Sequence, residues 1–167
     1  HMIEFLFHKH LVKHMTYLNS PSNTKTTVGE YMTLKVETVF PDDSVAEVAK
    51  KIEKTGHDGF PVCVGRQVIG FVTARDLLLS SDNVSIFQVM STDLLVAHSE
   101  MAIQDAARVI LRSGIQKLPV IDGTGNLIGI ISNSDVIRSQ IEKVTPEKVG
   151  KLARTLNSIH GIEVIQK

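Results

Sequence analysis

The chain has 167 residues, enough to bury a core without disulfides or metal, and its single cysteine, Cys63, excludes an intrachain disulfide and fits a reducing cytoplasm. Eighteen basic residues balance eighteen acidic ones, which excludes a global electrostatic pull toward nucleic acid or a membrane, and the scarcity of aromatics argues against base stacking. No apolar run approaches the ~20 residues of a membrane span, and no secretory signal is evident.

Residues 1–26 read as an N-terminal arm. His1-Met2 resembles a tag remnant, which puts the natural start at Met2 or Met15. Ile3, Leu6, Phe7 and Leu11 mark an amphipathic segment, a candidate helix, that would pack on the module or on a neighbouring subunit. His10 and His14 have metal-capable i, i+4 spacing, with His8 nearby, but no Cys or acidic cluster completes a ligand set, so no metal is expected.

From residue 27 to 82 the signals are local and ordered. Pro41-Asp42-Asp43-Ser44 gives a turn and helix cap ahead of Val45, Val48, Ala49 and Ile52 at helical spacing, and Gly56 ends that helix. Phe60–Val64 and Val68–Val72 read as two strands around a Gly65-Arg66 turn. Thr73 then caps a helix from Ala74 to Leu79. Residues 83–141 run the same way: a helix from Ser99-Glu100 through Val109 and Ile110 to Gly114, strands Leu118–Ile121 and Leu127–Ile131 joined by Asp122–Asn126, and a helix from Ser134. In the tail, 142–167, Thr145-Pro146-Glu147 starts a helix with Val149, Leu152, Leu156 and Ile159 on one face; Gly161 stops it. Ile162–Ile165 then alternates like a strand with no room for a return partner, as if the natural chain continues.

The two middle segments are copies. At an offset of 58, Met32 falls on Met90, Gly56 on Gly114 and Pro61 on Pro119; one extra residue in the second hairpin then brings Gly70 onto Gly129 and Asp76 onto Asp135 at 59. Each copy predicts a β-α-β-β-α unit, and neither has enough apolar face to bury alone, so the fold class is α/β (α+β), with two units packed face to face in approximate two-fold symmetry.

This order resembles the CBS domain, the family named after cystathionine β-synthase. The resemblance rests on Gly70-Phe71-Val72-Thr73-Ala74-Arg75-Asp76 and Gly129-Ile130-Ile131-Ser132-Asn133-Ser134-Asp135. It is extended by Phe60-Pro61-Val62 and Leu118-Pro119-Val120 and by the openings Tyr31-Met32 and Val89-Met90. It implies a Bateman module, with two clefts that take AMP, ADP, ATP or S-adenosylmethionine, no catalysis, and pairing of two modules into a homodimeric disc. Carried onto this chain, it assigns Asp76 and Asp135 to ribose, and Thr73 and Ser132 to phosphate or neighbouring polar atoms. Backbone at Thr38-Val39 and Val96-Ala97 would contact adenine, with Phe60, Pro61, Leu118 and Pro119 flanking it. Lys117 fills the family's basic slot two positions before the proline, where copy one has Gly59; Arg75 and Arg138 could compensate. The cleft with Ser132, Asp135 and Lys117 is therefore expected to be the better site.

Plainer readings stand beside these. Each Thr/Ser-x-x-Asp is also a helix cap with an acidic first turn, needing no ligand. Cys63 reads as a packed thiol, His57-Asp58 as part of the inter-element turn, and Asp122–Asn126 as a hairpin and not a calcium loop. The tail loosely resembles archaeal proteins with a CBS pair ahead of a ParB-like, DNA-associated domain. The rivals are thus a ligand-free dimerisation module and a DNA-associated regulator acting through a further domain; direct nucleic-acid or membrane binding by the pair itself is not expected.

Overall fold

The computed structural model describes residues Met15–Tyr17 and 26–142. Met15–Tyr17 is strand β1, so the described part of the arm is extended; His8, His10, His14 and the tail helix and strand lie outside the described residues. The first repeat contains α1 (Val28–Tyr31), α2 (Val45–Thr55), β2 (Gly59–Val64), β3 (Gln67–Thr73) and α3 (Ala74–Leu78). The second contains α4 (Ile86–Val89), β4 (Leu94–His98), α5 (Ile103–Ser113), β5 (Lys117–Ile121), β6 (Leu127–Ser132) and α6 (Asn133–Glu142).

Most elements form for the reasons their residues suggest. Ser44 caps α2, accepting from the Glu47 N–H while the Glu47 carboxylate accepts from the Ser44 N–H. Gly56 and Gly114 end α2 and α5 with φ of 73° and 70°, a region that a side chain would strain. Three details differ from the sequence expectation. The first strand of repeat one is reduced to one parallel bridge, Val39 to Val62, where repeat two has the full strand β4. Helix α5 starts after Ala102, which offers no side-chain cap, and not at Ser99-Glu100; the position equivalent to Ser44 simply lacks a hydroxyl. Helix α6 begins one residue early, at Asn133.

Strands β1, β4, β5 and β6 form one sheet in that order, parallel except for the β5–β6 hairpin, and β2–β3 is a separate antiparallel hairpin. The hairpin tips meet: the Leu127 N–H donates to the Arg66 carbonyl and the Gln67 amide to Asn126. Two cores result, and each borrows from the other repeat. Ile86 and Met90 of the second repeat are buried among Val45, Val48, Phe60, Val62 and Val72 of the first. Val28 of the first is buried among Ile103, Ala106, Leu118 and Ile131 of the second, with Tyr31 and Met32 packed against the cluster.

Backbone hydrogen bonds record the same exchange. The Ile86 and Phe87 N–H groups donate to Asp43 and Pro41 carbonyls at 2.8 and 3.0 Å. In the mirror arrangement, Val28 and Gly29 donate to Met101 and Ser99 at 2.8 and 2.7 Å. Gly70 and Gly129 let this happen: a Cβ on Gly70 would sit 2.5 Å from the Met90 sulfur and 3.0 Å from the Ser91 carbonyl, and one on Gly129 would sit 2.6 Å from the Met32 sulfur. The repeats are therefore related by reciprocal insertion of their opening helical turns.

Because Ile86 fills the core of the opposite repeat, Ile86→Ala should cost about 2–5 kcal/mol and weaken both repeats together. Urea unfolding followed by circular dichroism and by methyl signals from each repeat should give one coincident transition; separate transitions would show that the repeats fold independently. Burial also pushes the Cys63 thiol from 9.0 up to about 12. The folded value lies above the unfolded one, so the stabilisation is complete below pH 9 and is lost as pH rises toward 12. Over that range the urea midpoint of the parent should fall more steeply than that of Cys63→Ala.

Candidate functional site

Each repeat's last strand runs straight into a helix, and the junction is built identically. In repeat two, Asp135 Oδ2 accepts from the Ser132 N–H and hydroxyl, both at 2.9 Å, while Ser132 Oγ accepts from the Asp135 N–H at 3.3 Å. In repeat one, Asp76 Oδ2 accepts from the Thr73 N–H at 2.8 Å and its hydroxyl at 3.1 Å, and Thr73 Oγ1 accepts from the Asp76 N–H at 3.4 Å. These reciprocal bonds tie down the donors that a helix start leaves open and fix each carboxylate at the strand end. The two junctions differ at the remaining oxygen. Asp135 Oδ1 meets the Arg138 guanidinium at 3.1 Å, and Arg138 also donates to the Tyr31 carbonyl and lies over the Tyr31 ring. Asp76 Oδ1 has no such cation among the described residues.

Each carboxylate faces a cleft between the repeats. One, of about 290 Å³, is lined by Ser132 and Asp135, by Lys35, Val36 and Glu37, and by Phe60. The other, of about 370 Å³, is lined by Thr73 and Asp76, by Asp93, Leu94 and Leu95, and by Pro119. Both volumes suit a small ligand of nucleotide size. Gly59, Gln116 and Lys117 border both clefts, which adjoin along the starts of β2 and β5. Their charges differ: Lys35 in the Asp135 cleft holds the place that Asp93 holds in the Asp76 cleft.

Of the residues singled out in the sequence, the structure brings Phe60, Lys117, Ser132 and Asp135 to the first cleft and Thr73, Asp76, Lys117 and Pro119 to the second. Thr38 and Val39 do not line a cleft. Val39 is buried and bonded on both sides of Val62, its N–H to the Pro61 carbonyl and its carbonyl to the Cys63 N–H, and the Thr38 carbonyl accepts from the Lys51 ammonium at 2.6 Å. Val96 and Ala97 are likewise fully buried in β4. Val39, Val96 and Ala97 belong to the core, and the cleft walls lie two residues upstream, at Val36-Glu37 and Leu94-Leu95. Pro61 and the buried Leu118 stand behind the walls, Arg75 points to solvent, and Arg138 acts through Asp135. Sequence reading missed Lys35, Asp93, Gln116 and the turn residues His57 and Asp58 as lining groups; the repeat register that pairs Lys35 with Asp93 was the available signal.

Residues 28–82 and 86–142 each match the CBS domain, and the chain belongs to that family. It is 45% identical over 134 residues to MJ0188, an uncharacterised protein of Methanocaldococcus jannaschii, covering 79% of this chain and 51% of that one. It is 34% identical over 119 residues to the inosine-5'-monophosphate dehydrogenase of Korarchaeum cryptofilum, covering 70% of this chain and 25% of that one. The chain thus spans about half of the first relative and a quarter of the second. Among solved structures, CBSX2 in complex with AMP is 28% identical with a TM-score of 0.65, covering 70% of this chain and 96% of that chain. The CBS domain pair of protein MJ0100, in complex with 5'-methylthioadenosine and S-adenosyl-L-methionine, is 22% identical with a TM-score of 0.64, covering 71% of this chain and 98% of that chain, and shares the fold. This is a Bateman-type CBS pair, a regulatory and not a catalytic fold, so likeness to part of a dehydrogenase does not carry the dehydrogenase activity here. Among the described residues no helix is long and apolar enough to cross a membrane.

Removing either junction carboxylate should destabilise the ligand-free protein. Asp135 is only 4% exposed, so Asp135→Ala should cost about 1–3 kcal/mol and the less buried Asp76→Ala about 1 kcal/mol. Equal urea midpoints for both variants and the parent would mean that neither capping network bears on stability.

Proposed function

We propose that this module senses an adenine nucleotide or S-adenosyl compound bound in its inter-repeat clefts and passes occupancy to an attached domain or to a second subunit in the cytoplasm. The observation that carries this reading is the pair of capped carboxylates, Asp76 and Asp135, each facing a nucleotide-sized cleft between repeats. The AMP complex of the CBSX2 relative supports adenine chemistry for a pair of this kind. A carboxylate held by its own helix start can accept from ribose hydroxyls without reorganising, and the walls at Val36-Glu37 and Leu94-Leu95 offer backbone and apolar surface for a base.

Transmission follows from construction. Both clefts are formed jointly by the repeats, so a ligand that grips one arrangement more tightly than another shifts their balance by that difference in affinity. Leu78, Leu79, Leu111, Ile137 and Ile141 are exposed on or beside α3, α5 and α6. Covering them with a second copy is the homodimer we favour. The same exposed side chains support a second reading, a dimerisation module whose aspartates serve only as caps. DNA association, in either reading, belongs to a further domain.

Calorimetric titration with AMP, ADP, ATP and S-adenosylmethionine separates the two. The first reading expects saturable binding to at least one of them, weakened tenfold or more in Asp76→Ala or Asp135→Ala. Flat titrations with all four, alongside a dimer in analytical ultracentrifugation, would select the second.

A further inference from the structure

The two clefts share one cation. Lys117 borders both, and its ammonium lies 3.3 Å from Asp58, which lines the Asp76 cleft. Its own residue pairs with Ser132 across the β5–β6 hairpin, so the same side chain starts beside the wall of the Asp135 cleft. Repeat one has no equivalent lysine to share the task. Gly59 holds that position, and a Cβ there would meet the Phe71 ring at 2.8 Å and the Val72 carbonyl at 3.0 Å. A second lysine is thus blocked by packing. The Asp58 side chain is 64% exposed, so the ion pair is screened and poised to break; the Lys117 side chain is only 22% exposed and is confined to the seam between the clefts.

We infer that Lys117 couples the clefts negatively for anionic ligands, serving the phosphate in one at the expense of the other. This rests on the nucleotide-sensing reading above and deepens it. A phosphate entering the Asp135 cleft, which also holds Lys35, draws Lys117 away from Asp58. Asp58 is then left without its cation at the rim of the Asp76 cleft, and a second phosphate meets a carboxylate in place of an ammonium. An occupant of the Asp135 cleft therefore weakens anion binding in its neighbour, and by linkage the reverse also holds.

The test compares AMP binding to the parent with binding to variants in which the Asp135 cleft is disabled, either by Asp135→Ala or by filling it with Ile130→Trp. Coupling predicts that the Asp76 cleft, relieved of competition for Lys117, binds AMP about fivefold or more tightly than the parent binds its second equivalent. The gain should shrink with salt and disappear when Lys117→Met is added. Where the parent takes only one AMP, coupling predicts that the disabled variants still bind one, now in the Asp76 cleft. Affinity equal to the parent's second step, or a gain that survives Lys117→Met, would overturn coupling while leaving the sensing reading intact. Disabled variants that bind no AMP, while the parent binds one, would overturn coupling in the same way. A parent that binds none of AMP, ADP and ATP would overturn coupling, and one that binds neither these nor S-adenosylmethionine would overturn both. Two independent ways of disabling the cleft keep the test open if either variant folds poorly.

Discussion

A helix of four residues satisfies almost none of its own backbone, and it cannot form on its own account. Two occur among the described residues, α1 and α4, and both persist because the opposite repeat supplies what they lack. Carbonyls of Ser99 and Met101 accept from α1, those of Pro41 and Asp43 accept from α4, and each short helix drives one branched side chain, Val28 or Ile86, into a foreign core. Everything else follows from that exchange. The methionines after each short helix lie flat on Gly70 or Gly129, and antiparallel bridges from Ser91 to Phe71 and from Thr33 to Ile130 then bring the repeats together along the edges of the clefts.

The clefts are thus by-products of the insertion as much as designed cavities. Their walls come from the segments that cross over, 33–37 and 91–95, and their floors from the strand-to-helix junctions they cross onto. A binding site made this way cannot tighten without moving one repeat against the other. The asymmetry between the clefts has a local origin: two-fold pairs of positions carry unlike residues, Lys35 against Asp93 and Lys117 against Gly59. Duplication sets the shape, and divergence at a few lining positions sets the charge.

Much of this was legible in the sequence because the decisive signals are local. Ser44, Gly56, Thr73, Gly114 and Ser132 act on their own immediate neighbours, and the glycine, proline and aspartate register exposed the duplication without any knowledge of contacts. The junction carboxylates were legible for the same reason. The exchange of α1 and α4 was not, since hydrogen bonds from 28 to 101 and from 86 to 43 leave no mark on local periodicity. For the same reason the adenine contacts expected at Thr38-Val39 and Val96-Ala97 fall two residues past the cleft walls: the sequence shows where a strand is apolar but not where it turns inward, and Val39 and Val96 are core because of Val62 and its counterparts. The later start of α5, after Ala102 and not at Ser99-Glu100, was not legible either, because a cap present in one copy need not survive in the other.

Reciprocal insertion also sets an order on biosynthesis. The chain leaves the ribosome from its N-terminus, and the first repeat cannot close its core until Ile86 and Met90 have emerged behind it. Val28, among the earliest core side chains made, must wait longer still, because its pocket includes Ile131 at the end of the second hairpin. At roughly 5–20 residues per second, that leaves an apolar segment without its partner for several seconds of every round of translation. A nascent chain stalled between the two hairpins would carry one nearly finished core and one orphaned helix, the state most exposed to pairing with a neighbouring copy.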